Sequence, residues 1–275
     1  CVHGMGGGVL DYADLARYLG PDQPFYGLQE RAFSSDELPL FETVPEMAAH
    51  YVRQIQSLQP SGPYYLGGYC YGGTVAFEMA RQLQAGGQGV ALLAVMDNSP
   101  RNITYGESAA SAGYWVNFFK NLPYWLHDFW QLNPAEMVAR LRRKLRILRH
   151  RSVSRGRSSP DPTPADIEAI VDIDLSQIPA RHHHLLQAHY RARAIYQPRP
   201  YAGKVTLFRT RRHSLFGPFD PEMGWGGLAR GGLEIKEIEG FHANILQEPY
   251  VQLLAQQLKA CLDQAQNNAP PADIG

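Results

Sequence analysis

Short apolar stretches with the character of buried strands recur along the chain, and segments with helical spacing of apolar residues separate most of them. The predicted strands are 23–29, 63–69, 90–96, 204–210 and 233–239. The predicted helices are 10–19, 44–58, 74–83 and 249–262, where apolar residues recur every three or four positions. This alternation predicts an α/β fold with a mostly parallel central sheet and helices on both faces.

Residues 101–200 interrupt the alternation, because they contain several helix-like stretches and no convincing strand. An insertion of this length between two strands predicts a large helical lid over the sheet. We therefore divide the chain into an α/β core over 1–100 and 201–265, a helical lid insertion over 101–200 and a tail over 266–275.

Charge and cysteine content exclude several classes of protein. The chain has 26 Lys and Arg and 26 Asp and Glu, so its formal net charge is zero and a globally basic nucleic-acid binder is not expected. No apolar run reaches the roughly 18–20 residues of a membrane helix. Three widely spaced cysteines do not form a disulfide framework and favour a reducing, cytoplasmic compartment. The absence of an initiator Met and of a signal peptide predicts a domain cut from a longer polypeptide.

A glycine-rich segment, Tyr64 to Gly73, contains the pattern G-x-C-x-G between a predicted strand and a predicted helix. In its serine form this pattern is the nucleophile elbow of α/β-hydrolases, a sharp and strained turn that presents the nucleophile at the sheet edge. Gly68 and Gly72, two positions before and after Cys70, allow strand and helix to approach. The helix dipole favours a thiolate, so we interpret Cys70 as a nucleophile. The alternative is a structural cysteine in a glycine-rich turn.

Two residues downstream complete the order of nucleophile, acid and histidine. Asp97 follows the predicted strand 90–96, where a carboxylate can orient an imidazole. His242 lies in a loop after the last predicted strand and would take the thiol proton as the general base. Asp220 is an alternative acid, because in many α/β-hydrolases the acid follows the next strand.

The segment His3-Gly4-Met5-Gly6-Gly7-Gly8 lies at the start of the chain. It lacks the G-x-G-x-x-G spacing of a dinucleotide-binding turn, and no convincing ribose acid follows it, although Glu30 lies in a suggestive place. The segment resembles the HG-type loop that supplies the second oxyanion donor of hydrolases. We therefore predict that the backbone N–H groups of Met5 and Tyr71 form an oxyanion hole.

The remaining histidines are weaker candidates. His182, His183 and His184 are consecutive, and adjacent residues of a helix point about 100° apart, so the three do not converge on one metal ion. We interpret them as exposed side chains of the lid and predict no metal site. His189, on the same stretch, is interpreted as a packing or surface residue.

Together these motifs resemble the thioesterase domain that ends nonribosomal peptide synthetase and polyketide synthase assembly lines. The resemblance covers essentially the whole chain and rests on VHGMGGGVLDYADLARYL, PYYLGGYCYGGTVAFEMARQL, LLAVMDNSP, PYAGKVTLFRTRR and GFHANILQEP. It implies an α/β-hydrolase fold and places the acid at Asp97 rather than Asp220. Cys70 departs from the pattern, because most members of the family have serine there.

The resemblance also implies a substrate and a partner. The substrate is then a peptidyl or polyketide acyl chain on the phosphopantetheine arm of an upstream acyl or peptidyl carrier protein, and the domain has no cofactor of its own. Cys70 would accept the acyl group, and macrocyclisation or hydrolysis would release it. An acyl cysteine is itself a thioester, so it stays activated for a demanding ring closure.

Two segments of the predicted lid carry further hypotheses. Residues 114–130 hold eight aromatic residues, which indicates either an acyl-binding chamber or simple packing of lid helices. Residues 140–157 carry nine Lys and Arg and no acidic residue. Arg142, Arg143 and Arg146 are candidates for docking an acidic carrier protein, and the alternative is a solvated basic face.

Three other functions remain open at the level of sequence. One is a stand-alone editing thioesterase that hydrolyses misprimed carrier proteins, and another is a cysteine hydrolase of small free esters or lactones. The third is a non-catalytic ligand-binding α/β-hydrolase module, which the complete set of Cys70, Asp97 and His242 disfavours.

Overall fold

The computed structural model describes residues 1–34, 41–100, 182–210, 220–240 and 242–268, together with Val116, Phe119, Lys120, Leu122, Pro123 and Leu126. Most of the predicted lid lies outside these residues. The basic segment with Arg142, Arg143 and Arg146, most of the aromatic stretch 114–130 and positions 269–275 of the predicted tail are likewise outside them.

Four parallel strands form the central sheet, in the spatial order β1, β2, β3, β4. They are β1 (Tyr64–Tyr69), β2 (Val90–Met96), β3 (Val205–Thr210) and β4 (Leu233–Ile238). All six residues of β3 are buried, as expected of a strand covered on both faces of a parallel sheet. The predicted α/β class with a mostly parallel sheet is confirmed.

The predicted strand at 23–29 is wrong, because only Leu28 pairs there, through an isolated bridge to Val2. Pro24 lacks the N–H that a continuous ladder needs, and Tyr26 is 68% exposed. Val2 lies between Leu28 and Gly68 and bridges to both, so the start of the chain is attached to the edge of β1.

Five α-helices accompany the strands within the described ranges. They are α1 (Ala13–Leu19), α2 (Val44–Leu58), α3 (Tyr71–Ala85), α4 (His183–Ile195) and α5 (Tyr250–Asn268), with 3-10 turns at Leu10–Tyr12, Arg31–Phe33 and His242–Asn244. α2 has the predicted bounds, since the Thr43 hydroxyl accepts a hydrogen bond from the Glu46 N–H and Pro45 fits the first turn. α3 begins three residues earlier than predicted, because its first turn contains Gly72 and Gly73, and glycine has a low helix propensity.

Two apolar cores cover the two faces of the sheet. One core packs α2 and α3 against the sheet and includes Met47, Val75 and Phe77. The other packs α1 and α5 against the opposite face and includes Leu15 and Leu254. Among the helices of the described ranges, none combines the length and the apolarity that crossing a bilayer requires.

The junction of β1 and α3 depends on two glycines. A Cβ at Gly68 would overlap the backbone of Gly72, and a Cβ at Gly72 would overlap the carbonyl oxygens of Val2 and His3. Strand, helix and N-terminal segment therefore meet through backbone contacts that leave no space for a side chain. This close approach places the turn at Cys70 beside the glycine-rich segment that begins at His3.

We predict that Gly72→Ala destabilises the protein by about 3 kcal/mol, because its methyl group meets backbone atoms that cannot move aside. Urea unfolding measures the effect. Gly227→Ala is the matched control, since a Cβ at Gly227 would meet no described atom within 4 Å, and its stability should stay within about 0.5 kcal/mol of the unsubstituted chain. Equal stability of the two variants would contradict the close-approach interpretation.

Candidate active site

Cys70 occupies the sharp turn between β1 and α3. Its backbone has φ 54° and ψ −128°, a conformation that non-glycine residues rarely adopt. The turn is fixed by hydrogen bonds from the Cys70 N–H to the Met96 carbonyl at 3.0 Å and from the Gly73 N–H to the Cys70 carbonyl at 3.0 Å. The predicted elbow geometry is present, and it holds the thiol at the N-terminus of α3.

Asp97 follows β2 and is also in the left-handed region, with φ 46°. One carboxylate oxygen, Oδ1, accepts hydrogen bonds from the Thr210 N–H at 2.7 Å and the Thr210 hydroxyl at 2.9 Å. The other, Oδ2, lies 2.8 Å from Nδ1 of His242. Both oxygens are therefore satisfied, and one of them is aimed at the imidazole.

His242 connects Asp97 to Cys70. Because Oδ2 of Asp97 accepts the Nδ1 proton, Nε2 is left for the hydrogen bond that the ring makes with the Cys70 thiol. The ring of Tyr69 stacks on the imidazole at a centroid distance of 4.9 Å, and its hydroxyl donates to the His242 carbonyl at 2.5 Å. The structure thus brings together the three residues that the sequence assigned as nucleophile, acid and base.

The three groups shift one another's pKa values. Burial acts to raise the pKa of Cys70, but His242, the charge of Arg193 and the Tyr71 N–H outweigh it and lower that pKa. Desolvation acts to lower the pKa of His242, but the charges and hydrogen bonds of Cys70 and Asp97 raise it well above its ordinary value. Burial likewise opposes ionisation of Asp97, yet His242 and Thr210 hold its pKa below the ordinary value. The arrangement favours a thiolate–imidazolium pair held by a carboxylate.

The two predicted oxyanion donors are the N–H of Tyr71, which follows Cys70 at the elbow, and the N–H of Met5 in the glycine-rich N-terminal segment that packs against the elbow. The Tyr71 N–H helps to lower the pKa of the Cys70 thiol, so this amide lies close to the reacting sulfur. Within the part of the chain that the structure describes, the Met5 N–H has no protein acceptor. The two amides are therefore available to a negatively charged oxygen at the elbow.

His3 fixes the orientation of the Met5 amide. Its Nδ1–H donates to the Gly4 carbonyl at 2.7 Å, and that carbonyl belongs to the same peptide unit as the Met5 N–H. Since the C=O and N–H of a trans peptide point in opposite directions, the Met5 N–H is directed away from His3. His3 is fully buried, and its Nε2 lies 2.8 Å from the Tyr51 hydroxyl, which holds the ring in place.

Asp220, the alternative acid, lies elsewhere and has another task. Its carboxylate accepts hydrogen bonds from the Glu222 N–H at 2.9 Å and the Gly224 N–H at 2.7 Å, so it closes a turn.

His182 stacks on the Phe33 ring, and its Nε2 lies 3.2 Å from the Phe33 carbonyl. His182 is buried, whereas the sequence analysis placed it on an exposed lid face.

Several residues around the site were missed by sequence reasoning. Arg193 of α4 donates to the Asn98 side chain at 3.2 Å and the Ser99 carbonyl at 3.1 Å, immediately after Asp97. His189 and Glu30, beneath the Met5 loop, are 0% and 1% exposed, so of the two interpretations of His189, packing or surface, the structure supports packing. A histidine and a glutamate 159 positions apart give no sequence signal that they meet.

We predict that Cys70 is alkylated by iodoacetamide well below the pH expected of an ordinary thiol, because His242 stabilises its thiolate. His242→Gln removes the imidazolium but not the burial, so the rate at about pH 7 should fall tenfold or more. Peptide mass spectrometry distinguishes Cys70 from Cys1 and Cys261.

The control for this pH profile is His184→Gln, the same substitution on a partly buried side chain of α4. It should leave the midpoint of Cys70 alkylation unchanged. A midpoint that stays the same in His242→Gln would contradict the assigned ion pair.

Comparison with known proteins agrees with the geometry. Residues 1–113 match the model of the thioesterase domain family. A dimodular nonribosomal peptide synthase of Bacillus subtilis (strain 168) is 30% identical over 256 residues, which are 92% of this chain and 10% of that protein. The inactive atromentin synthetase invA6 of Paxillus involutus is 42% identical over 99 residues, which are 36% of this chain and 10% of that protein. The chain thus spans a tenth of the length of each of these relatives.

A solved structure extends the likeness to the fold. The NocB thioesterase domain, in covalent complex with a fluorophosphonate nocardicin G analogue, is 26% identical and matches with a TM-score of 0.58. The match covers 95% of this chain and 92% of that one. The chain therefore has the α/β-hydrolase fold, and it is similar to the thioesterase domains of nonribosomal peptide synthetases and polyketide synthases.

Proposed function

We propose that this domain is a chain-releasing thioesterase in which Cys70 is the nucleophile. The observation that carries the proposal is the continuous chain of contacts from Thr210 through Asp97 and His242 to the Cys70 thiol. One relative at 42% identity is named inactive, so similarity to the family does not by itself establish activity. The proposal therefore depends on the arrangement of this chain's own side chains.

In the first half-reaction, the Cys70 thiolate attacks the carbonyl carbon of an acyl thioester. A carbon–sulfur bond forms, the carbonyl oxygen becomes an oxyanion, and the N–H groups of Met5 and Tyr71 stabilise it. Collapse of this intermediate breaks the bond between the acyl carbon and the sulfur of the substrate. That sulfur leaves as a thiolate, and the His242 imidazolium gives it a proton. Asp97 keeps the imidazole in the tautomer and orientation that this proton transfer requires.

In the second half-reaction, a nucleophile attacks the acyl group on Cys70. The nucleophile is an amine or hydroxyl of the same chain in macrocyclisation, or water in hydrolysis. His242 takes its proton as the new bond forms, and Cys70 leaves as a thiolate that the imidazolium again stabilises. Since the acyl enzyme is a thioester like the substrate, acylation is nearly thermoneutral and the acyl group stays reactive.

The substrate that fits this proposal is a peptidyl or polyketide chain on the phosphopantetheine arm of an upstream carrier protein. Its support is the similarity of the chain to domains of multidomain synthetases. Docking of the carrier protein on Arg142, Arg143 and Arg146 is part of the proposal, on the basis of their charge alone.

Mixing the domain with an acyl-pantetheine thioester should add the mass of one acyl group per chain, located on Cys70 by peptide mapping. Cys70→Ala should give no adduct, and Cys261→Ala, which removes another buried thiol, should give the same adduct as the unsubstituted chain. The identity of the released species then separates cyclisation from hydrolysis. Absence of both adduct and turnover, even with carrier-bound acyl chains, would favour a ligand-binding module.

Asp97→Asn should lower kcat by about 10³–10⁴-fold, because the amide favours the wrong imidazole tautomer while preserving shape. Asparagine tolerates the left-handed backbone of this position, so folding should be preserved. Steady-state turnover of an acyl-pantetheine substrate measures the effect. Asp220→Asn is the matched control and should leave kcat unchanged, whereas a larger loss in Asp220→Asn would reverse the assignment of the acid.

A further inference from the structure

A second cluster of titratable side chains lies beneath the Met5 loop and is separate from Cys70, Asp97 and His242. His3, Glu30 and His189 are 0%, 1% and 0% exposed. Oε2 of Glu30 lies 3.9 Å from Nε2 of His3 and 3.7 Å from Nε2 of His189, and the Tyr51 hydroxyl lies 3.3 Å from the same oxygen. These four groups come from four separate parts of the chain.

The hydrogen bonds of the two rings fix their tautomers. Nδ1 of His189 lies 2.8 Å from the Met5 carbonyl, and Nδ1 of His3 lies 2.7 Å from the Gly4 carbonyl. A carbonyl only accepts, so both Nδ1 atoms carry a proton. Both Nε2 atoms are then without a proton on the side of Glu30 and Tyr51. The single hydroxyl hydrogen of Tyr51 can be donated either to Nε2 of His3 or to Oε2 of Glu30, but not to both.

The contacts among Glu30, Tyr51 and the two Nε2 atoms need one more proton than a carboxylate, a hydroxyl and two neutral imidazoles supply. If Glu30 is ionised and both histidines are neutral, a lone pair of His189 Nε2 faces a carboxylate in a fully buried site, and that nitrogen has no hydrogen-bond partner among the described residues. A buried carboxylate with no opposing charge is also costly. One additional proton removes both problems and makes the cluster neutral overall.

The geometry favours His189 as the site of this proton, because its Nδ1 already donates to the Met5 carbonyl and its Nε2 is the atom without a partner among the described residues. Burial lowers the pKa of His3 to about 3, so His3 is neutral. Burial opposes ionisation of Glu30, but the two histidines hold its pKa below its ordinary value. The His189 ring also lies against the Tyr71 ring at a centroid distance of 5.0 Å and an interplanar angle of 20°, a position in which an aromatic face stabilises a cation.

We propose that His189 is a protonated positioning residue which, paired with the Glu30 carboxylate, holds both oxyanion donors in place. Its Nδ1–H fixes the Met5 carbonyl, and its ring supports Tyr71, the residue whose N–H lies close to the Cys70 sulfur. The Glu30 N–H adds a bond to the Gly7 carbonyl at 3.0 Å, in the same loop. The effect on turnover rests on the proposed function, whereas the proton on His189 does not.

The same residue types are those of a metal site, but the ring geometry disfavours one. The His3 and His189 rings are stacked, with centroids 5.0 Å apart and planes 27° from parallel. Nitrogen lone pairs lie in the ring planes, so those of stacked rings run side by side instead of converging on one ion. The Tyr51 hydroxyl also occupies Nε2 of His3 at 2.8 Å.

The proton is measured directly by nitrogen NMR on protein labelled with ¹⁵N-histidine. The His189 signals, assigned by their loss in His189→Asn, should show both ring nitrogens protonated near neutral pH. In Glu30→Gln, whose amide can donate to Nε2, they should change to those of a neutral ring with the proton on Nδ1. A neutral His189 in the unsubstituted protein, or stoichiometric binding of added Zn²⁺ that shifts these signals, would overturn the proposal.

The positioning role is tested by kinetics in the Glu30→Gln background, where no buried charge is left unpaired. Adding His189→Asn keeps an amide donor near the position of Nδ1, whereas His189→Gln moves the donor to the position of Nε2. The single-turnover acylation rate should fall about tenfold or more in the Gln variant and much less in the Asn variant, with KM unchanged in both.

Equal rates in the two double variants, at similar thermal stability, would refute the role of the Nδ1 hydrogen bond. His184→Asn in the same background is the control and should leave the rate unchanged. The NMR measurement requires no substrate. An unsubstituted chain that is never acylated would therefore refute the proposed function alone, and the NMR result would still decide the protonation of His189.

Discussion

The site depends on two non-glycine residues held in the left-handed region at the carboxyl ends of adjacent parallel strands. Cys70 follows β1 with φ 54°, and Asp97 follows β2 with φ 46°. Such a conformation costs about 1–3 kcal/mol at each residue and persists only where neighbouring contacts enforce it. At Cys70 these contacts are the backbone packing of Gly68 and Gly72. At Asp97 they are the 2.6 Å hydrogen bond from its N–H to the Phe208 carbonyl and the hydrogen bonds that hold the next residue, Asn98, to Thr74 and Trp225. The strain turns both side chains toward the same edge of the sheet, where His242 reaches them.

Charge then determines how this edge reacts. The carboxylate of Asp97 is buried, but Thr210 and His242 satisfy its oxygens, so it stays ionised where an isolated acid would not. The raised pKa of His242 and the lowered pKa of Cys70 favour transfer of the thiol proton to the imidazole, which leaves the sulfur as a thiolate. α4 contacts both sides of the site, since His189 reaches the Met5 carbonyl and Arg193 reaches Asn98. Interactions that support the oxyanion side and the acid side are therefore linked through one helix, α4, which belongs to the segment that the sequence analysis assigned to the lid.

Features that depend on local sequence were predicted well, and those that depend on distant contacts were not. Cys70 and Asp97 were identifiable because each follows an apolar strand, and parallel strands bring their carboxyl ends to one edge. The segment 23–29 has the composition of a strand, and Pro24 was the local signal against one. That Leu28 alone pairs, with Val2, and that Tyr26 is exposed depend on contacts with distant parts of the chain. The pairing of Glu30 with His189 joins a 3-10 turn to a distant helix, and no local pattern encodes it. The family resemblance had chosen Asp97 over Asp220, and the geometry of the two turns agrees with that choice.

The central claim is that the paired Cys70 thiol carries the acyl group during release. Stopped-flow detection of free thiol, after mixing the domain with an acyl-pantetheine thioester, tests it most directly. The account predicts a rapid burst of one pantetheine thiol per chain, followed by slower turnover, with the burst absent in Cys70→Ala and greatly slowed in His242→Gln. A burst that persists in Cys70→Ala would contradict the account. So would a rate of thiol release that is the same in the unsubstituted chain, in Cys70→Ala and in His242→Gln.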